Sequence, residues 1–120
     1  MPDLARWSYL DSPSPIALAH RGAHGAGITE NSTAAFERAV ELGYAYVETD
    51  VHATADGVLV AFHDATLDRV TDQVGAISRL TFAQVAKAKL ADGSPIPLFE
   101  DLLGAWPDLR VNIDAKDDHA

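Results

Sequence analysis

Glu48 and Asp50 occupy alternate positions in an apolar-rich run at residues 45–64, AYVETDVHATADGVLVAFHD. On an extended strand alternate side chains share a face, so Tyr46, Glu48, Asp50 and His52 point the same way. The two carboxylates then stand roughly 6.7 Å apart along the strand, within reach of one cation. Paired acids with apolar flanks repel each other and lose hydration unless a positive group lies between them, which points to a divalent metal. The turn at Ala55-Asp56-Gly57 leads into a second apolar run, residues 58–62, which delivers His63-Asp64 at its end. An imidazole released at a strand end beside a metal pair is a candidate acid or base.

Two further segments end in polar pairs. Residues 16–19, IALA, run directly into His20-Arg21-Gly22, and residues 109–116, LRVNIDAK, close on Asp114 and Lys116. In a parallel α/β sheet the C-terminal strand ends gather on one rim, where ligands bind. Glu48, Asp50 and Asp114 together make an all-oxygen ligand set, which suits Mg²⁺ or Ca²⁺ better than zinc or copper. His20 and His63 could divide the proton transfers, one taking and the other giving. Arg21 and Lys116 add positive charge suited to a phosphoryl oxyanion. These parts describe metal-assisted cleavage of a phosphate ester.

The elements that must position them follow from local pattern. Residues 1–15 read as an irregular leader, because Pro13 and Pro15 oppose regular structure, with Trp7, Tyr9 and Leu10 covering one end of a core. Residues 16–120 read as one domain. The run 16–19 predicts a buried strand. Asn31 is placed as the N-cap of a helix through Leu42, with Phe36, Ala39 and Val40 as its apolar face and Gly43 at C′. Strand, helix and strand with short joints predict a parallel βα unit with a right-handed crossover. Residues 65–79 read as a polar loop. Thr81-x-x-Gln84 is a capping box that predicts a helix to about Leu90, burying Phe82, Val85 and Ala86. Ser94-Pro95-Ile96-Pro97 leads into a second short helix carrying Leu98, Leu102 and Leu103. Residues 109–116 read as a split strand, Leu109, Val111, Ile113 and Ala115 on one face and Arg110, Asn112, Asp114 and Lys116 on the other.

Other polar residues read as supporting or silent. His52 reads as a bystander near substrate, Glu30-Asn31 as ordering the first loop and helix start, His24 and His119 as exposed, and Asp117 and Asp118 as solvated charge.

Bulk properties narrow the setting. The chain has 120 residues, one domain's worth, and 48% apolar residues suffice for a core. A net charge of -9 and a pI near 4.7 argue against nucleic acid and anionic membrane surfaces as partners. Cysteine is absent, leaving oxygen and imidazole as metal ligands. No apolar run approaches the ~20 residues of a membrane helix, and residues 1–15 lack a signal-peptide core. A soluble, cytoplasmic protein is the expectation.

AHRG at 19–22, ENSTAAFERAVELG at 30–43, VETDV at 47–51, ADGVLVAFHD at 55–64 and VNIDAK at 111–116 together resemble the glycerophosphodiester phosphodiesterase family, over nearly all of residues 16–116. Each piece is short; their order and spacing carry the likeness. The resemblance implies a TIM barrel, a divalent cation (Ca²⁺ or Mg²⁺), and hydrolysis of glycerophosphodiesters to glycerol 3-phosphate and an alcohol. By position it assigns Glu48, Asp50 and Asp114 to the metal, His20 and His63 to acid/base work, and Arg21 and Lys116 to the phosphate.

The sequence departs from the family at two points. Asp114 stands where the family usually has the longer Glu, which leaves room for a water between carboxylate and cation. A TIM barrel needs ~200 residues or more, and this chain carries only the first three or so βα units. The expectation is therefore an α/β, TIM-barrel-type partial barrel: an N-terminal fragment, a truncated gene product, or a part completed by self-association. The alternatives in function are a non-catalytic half-barrel that binds cation or phosphate, and a related phosphodiesterase acting on lysophospholipid or sphingolipid headgroups.

Overall fold

The computed structural model describes residues 15–120, so the leader reading, with Trp7, Tyr9 and Leu10, lies outside the described residues. In chain order the elements are β1 (Leu18–His20), α1 (Thr33–Glu41), β2 (Tyr46–Ala53), β3 (Leu59–Ala61), α2 (Phe82–Val85), α3 (Phe99–Ala105) and β4 (Arg110–Ala115). β2 is the organising strand. β1 pairs with it in parallel, Leu18 beside Tyr46 and His20 beside Glu48. β4 pairs in parallel along its other edge, Tyr46 beside Arg110 and Asp50 beside Asp114. Side chains in register across a sheet share a face, so this pairing alone sets His20, Glu48, Asn112, Asp50 and Asp114 on one surface.

β3 is antiparallel to β2, with Val51 beside Ala61 and Ala53 beside Leu59. Val51 also pairs with Ala115 of β4, so β3 must lie on the β1 edge, beyond the end of β1. The turn between β2 and β3 uses Gly57 at φ +82°, with the Thr54 hydroxyl donating to Asp56 at 2.6 Å. Asp56 also accepts from the Phe82 amide at 2.9 Å, which ties the hairpin to α2.

The crossover helix α1 differs from its sequence reading at one residue. Ser32 is the N-cap, its hydroxyl accepting from the Ala35 amide at 3.1 Å. Asn31, expected there, is instead buried at φ +54° with its side chain committed to β2. The helix ends as the sequence indicates. Gly43 at φ +89° donates to the Val40 carbonyl and Tyr44 donates to that of Ala39, the paired bonds of a Schellman motif. Phe36 and Ala39 are buried as expected, joined by Ala35, with Val40 half-buried.

Two hydrophobic clusters result. The first places Ala19, Phe36, Ala39, Val47, Val51, Ala61, Phe99 and Leu102 between the sheet, α1 and α3. The second gathers Val60, Phe62, Leu67, Ile77, Val85, Ala88, Leu90 and Ile96. It corrects the reading of residues 65–79 as a merely polar loop, since Leu67 and Ile77 are among the most buried side chains. Isolated bridges, Thr66 to Ala76 and Thr71 to Leu90, give that segment the backbone pairing a buried chain requires.

Three other expectations are shortened. The Thr81–Gln84 capping box forms, but α2 stops at Val85 because Lys89 and Leu90 are drawn into bridges with Pro95 and Thr71. α3 carries Leu102 inward, whereas Leu98 is its N-cap and Leu103 is exposed. β1 begins at Leu18, not Ile16, and only Ala19 is buried; Leu18, on the opposite face of the strand, is 43% exposed.

Candidate active site

The three acids of the sequence reading meet. Glu48, Asp50 and Asp114 offer carboxylate oxygens that all lie within 4.8 Å of one another, forming a possible cation site among the described residues. The donor set fits a hard divalent cation: three carboxylate oxygens, no sulfur and no imidazole. Asp50 is buried, Glu48 half-buried and Asp114 exposed. Burial pushes the Glu48 carboxyl above its ordinary range, and the like charges of Asp50 and Asp114 push the same way. A carboxyl so placed gains from a cation.

The positive groups expected at the phosphate line the same acids. Arg21 donates its backbone amide to Glu48 Oε1 at 3.2 Å, and its Nε lies 3.5 Å from Asp50 Oδ2. That Nε is buried and makes no hydrogen bond, so a donor remains to be used at the site. Lys116 Nζ sits 2.7 Å from Asp114 Oδ2 and 3.5 Å from Asp50 Oδ1. The hydrogen bond to Asp114 raises the Lys116 ammonium's pKa and lowers that of the carboxyl.

The two histidines arrive by different routes. His20, at the end of β1, brings Nε2 to 3.8 Å from Glu48 Oε1, with most of its ring exposed and the His24 ring edge-on at 6.2 Å. His63 is returned by the hairpin: the Phe62 amide donates to the Asp50 carbonyl at 2.9 Å, which sets the next residue beside the acids. His63 Nδ1 lies 2.8 Å from Asp64 Oδ1.

Five residues to which the sequence gives no part in the chemistry support this cluster. Asn31 Nδ2 donates to Asp50 Oδ2 at 3.1 Å, and its Oδ1 accepts from the Thr49 hydroxyl at 3.0 Å. Glu30 accepts from Arg21 Nη1 at 2.8 Å and from both terminal nitrogens of Arg69. Arg69 also holds both oxygens of Asp64, at 2.8 and 3.1 Å. His52, read as a bystander, is buried with Nε2 2.9 Å from the His63 carbonyl. Asp117, read as solvated charge, accepts from the Ala53 amide at 3.1 Å and lies 3.6 Å from His52 Nδ1. Parity along β2 gave a signal for His52; nothing local marks Arg69.

The sequence model of the "Glycerophosphoryl diester phosphodiesterase family" matches residues 20–118. The chain belongs to this family. Among the similar proteins of the glycerophosphodiester phosphodiesterase family, "Probable glycerophosphodiester phosphodiesterase 2" of Mycobacterium tuberculosis is 50% identical over 108 residues, 90% of this chain and 41% of the relative. The crystal structure of a glycerophosphodiester phosphodiesterase from Agrobacterium tumefaciens superposes with a TM-score of 0.77 at 30% identity, covering 82% of this chain and 46% of that one. A phosphodiesterase from Oleispira antarctica, solved with the product sn-glycerol-3-phosphate, gives a TM-score of 0.76 at 29% identity, covering 85% and 44%. The chain thus spans less than half the length of each.

These neighbours are TIM barrels, and this chain folds as a partial one. β1, β2 and β4 are its parallel strands, with β3 an antiparallel hairpin arm beside β2. Asp114, short as its side chain is, reaches the other two carboxylates. Among the described residues no helix is long and apolar enough to cross a membrane.

Proposed function

We propose that this chain carries the metal-binding and acid/base groups for hydrolysis of small glycerophosphodiesters to glycerol 3-phosphate and an alcohol. One observation carries the reading: three carboxylates within 4.8 Å, flanked by Arg21 and Lys116. Glu48, Asp50 and Asp114 would hold Ca²⁺ or Mg²⁺, which when bound supplies charge to polarise a phosphate oxygen. Arg21 Nε, buried and without a hydrogen bond, is the donor that would meet a phosphate oxygen, with Lys116 adding its charge. Of His20 and His63, one removes the proton from the attacking hydroxyl or water and the other protonates the leaving alcohol. Residues 16–120 are the N-terminal part of the catalytic domain in this reading, supported by the family match over residues 20–118. A cytoplasmic location and a water-borne substrate go with it, in keeping with the net charge of -9.

The test is turnover of glycerophosphocholine with added Ca²⁺ or Mg²⁺, repeated after EDTA and in His20→Ala and His63→Ala. Each histidine variant should lose at least about a hundredfold in kcat. Unchanged hydrolysis in both variants would remove the acid/base assignment.

A second reading is favoured by the surface of β4. Ile113 is 50% exposed, and residues 112–115 lie open along the strand. An apolar, unpaired strand edge templates pairing with another chain. On this reading the chain acts by binding cation or phosphate in a self-associated assembly without turnover. Metal binding with no hydrolysis, together with a solution mass of two or more chains, supports it; a monomer that turns over removes it.

A further inference from the structure

Arg69 lies on the loop after His63-Asp64, half-exposed, in a segment that no part of the proposed chemistry uses. Its guanidinium nonetheless makes four hydrogen bonds to two carboxylates. Nε and Nη2 hold the two oxygens of Asp64 at 2.8 and 3.1 Å, and Nη1 and Nη2 hold the two oxygens of Glu30 at 2.9 and 3.0 Å. Asp64 in turn faces His63 Nδ1 at 2.8 Å, and Glu30 accepts from Arg21 Nη1 at 2.8 Å. One unbroken chain of contacts therefore runs Arg21–Glu30–Arg69–Asp64–His63, joining the arginine at the acids to the histidine on the hairpin. Side chains 39 residues apart in sequence meet in this clamp, which a merely solvated loop arginine does not require.

We propose that Arg69 is a positioning residue: by fixing Asp64 behind the His63 ring it selects the tautomer with Nδ1 protonated, and by fixing Glu30 it holds the Arg21 side chain. The inference rests on the acid/base role proposed for His63. A carboxylate can only accept, so an Asp64 locked in place demands a proton on Nδ1 and leaves the lone pair of neutral His63 on Nε2. That is the nitrogen free to take or give a proton at substrate. Asp64 stays ionised to do this, its carboxyl pulled down to about 2, first by the Arg69 hydrogen bond and also by that to His63. The bidentate fork matters because a lysine supplies charge but cannot hold both oxygens of two carboxylates in one plane.

The experiment pairs a spectroscopic readout with kinetics on the full chain. Nitrogen-15 spectra of the neutral histidine rings, taken without substrate, should show Nδ1–H for His63 in the wild type. Arg69→Met should shift population toward Nε2–H, and Arg69→Lys should recover only part of the wild-type signal. With glycerophosphocholine and Ca²⁺, Arg69→Met should lower kcat by about ten- to a hundredfold with KM changed less than about threefold. An unchanged tautomer in Arg69→Met overturns the proposal, whatever the kinetics. If the wild type hydrolyses nothing, the hydrolase reading fails, while the ring spectra still decide whether Arg69 positions His63. Should Arg69→Met not give a cooperative melt, Arg69→Lys and Glu30→Gln carry the same measurements, and no tautomer change in either overturns it.

Discussion

Asn31 donates its side-chain amide to Asp50 Oδ2 at 3.1 Å from a backbone position at φ +54°, so the loop before α1 and the middle of β2 are locked together at the most buried of the three clustered acids. The same amide's oxygen accepts from Thr49, and both Asn31 and Asp50 are almost wholly buried. Few residue types tolerate that backbone region, and Asn is one of them. The side chain and the backbone conformation are thus specified together.

Asn31→Ala should therefore cost about 1–3 kcal/mol, through two lost buried hydrogen bonds and a strained φ. Asn31→Gly loses the bonds but not the backbone tolerance, and should be less destabilised by about 1 kcal/mol. Urea unfolding of the three proteins checks this; equal costs for Ala and Gly would remove the strain component.

Gly22 sits at φ +76°, and a Cβ built there would lie 2.8 Å from the Ala35 carbonyl carbon. That atom is helix backbone and cannot give way as a flexible side chain would. Gly22→Ala should destabilise by more than about 2 kcal/mol, and should weaken metal binding because Arg21 and Glu48 share a hydrogen bond next to it. Denaturant midpoints and calorimetric titration with Ca²⁺ read both effects.

Glu48 is pushed upward by burial first and by its acidic neighbours after, so its charge opposes folding in the metal-free protein. The sign follows: a carboxyl whose folded pKa exceeds the unfolded one binds its proton more tightly when folded, and stability falls as pH rises through that interval. Glu48→Gln should raise the metal-free Tm. A cation at a hundred times its Kd should stabilise the wild type by about 2.7 kcal/mol, and Glu48→Gln should lose most of that gain. Thermal melts with and without Ca²⁺ at pH 7 test both statements.

Asp64 behaves in the opposite sense. Its folded carboxyl lies at about 2, held there chiefly by Arg69, against an unfolded value near ~3.9. The stabilisation it contributes is present above about pH 4 and is lost as pH falls toward about 2. Asp64→Asn should flatten the stability profile across that window. Denaturation at a series of pH values between 7 and 2 reads the difference.

How much of this was written in the chain depends on the range of each interaction. The alternation of Glu48 and Asp50, the Gly43 stop of α1 and the Thr81–Gln84 box are local statements, and the structure keeps them. Motif order was equally legible, and the family match covers residues 20–118. The exact cap of α1 was not, because Ser32 and Asn31 are both good caps and only contact with Asp50 and Thr49 drew Asn31 away. The length of α2 was misjudged for a similar reason: bridges to Pro95 and Thr71 claimed backbone that propensity would have left helical.

By itself, the sequence determined the element types, the acids on one strand face, and the histidines at strand ends, because periodicity and turn chemistry act over a few residues. The tertiary structure decided the register of β4 on β2, which aligns Asp50 with Asp114, and the hairpin that returns His63. It also decided the Arg69 clamp between Glu30 and Asp64 and the burial of His52. These join residues far apart along the chain, and which of them meet is set by how the sheet and its two apolar clusters pack, a property no short window of sequence contains.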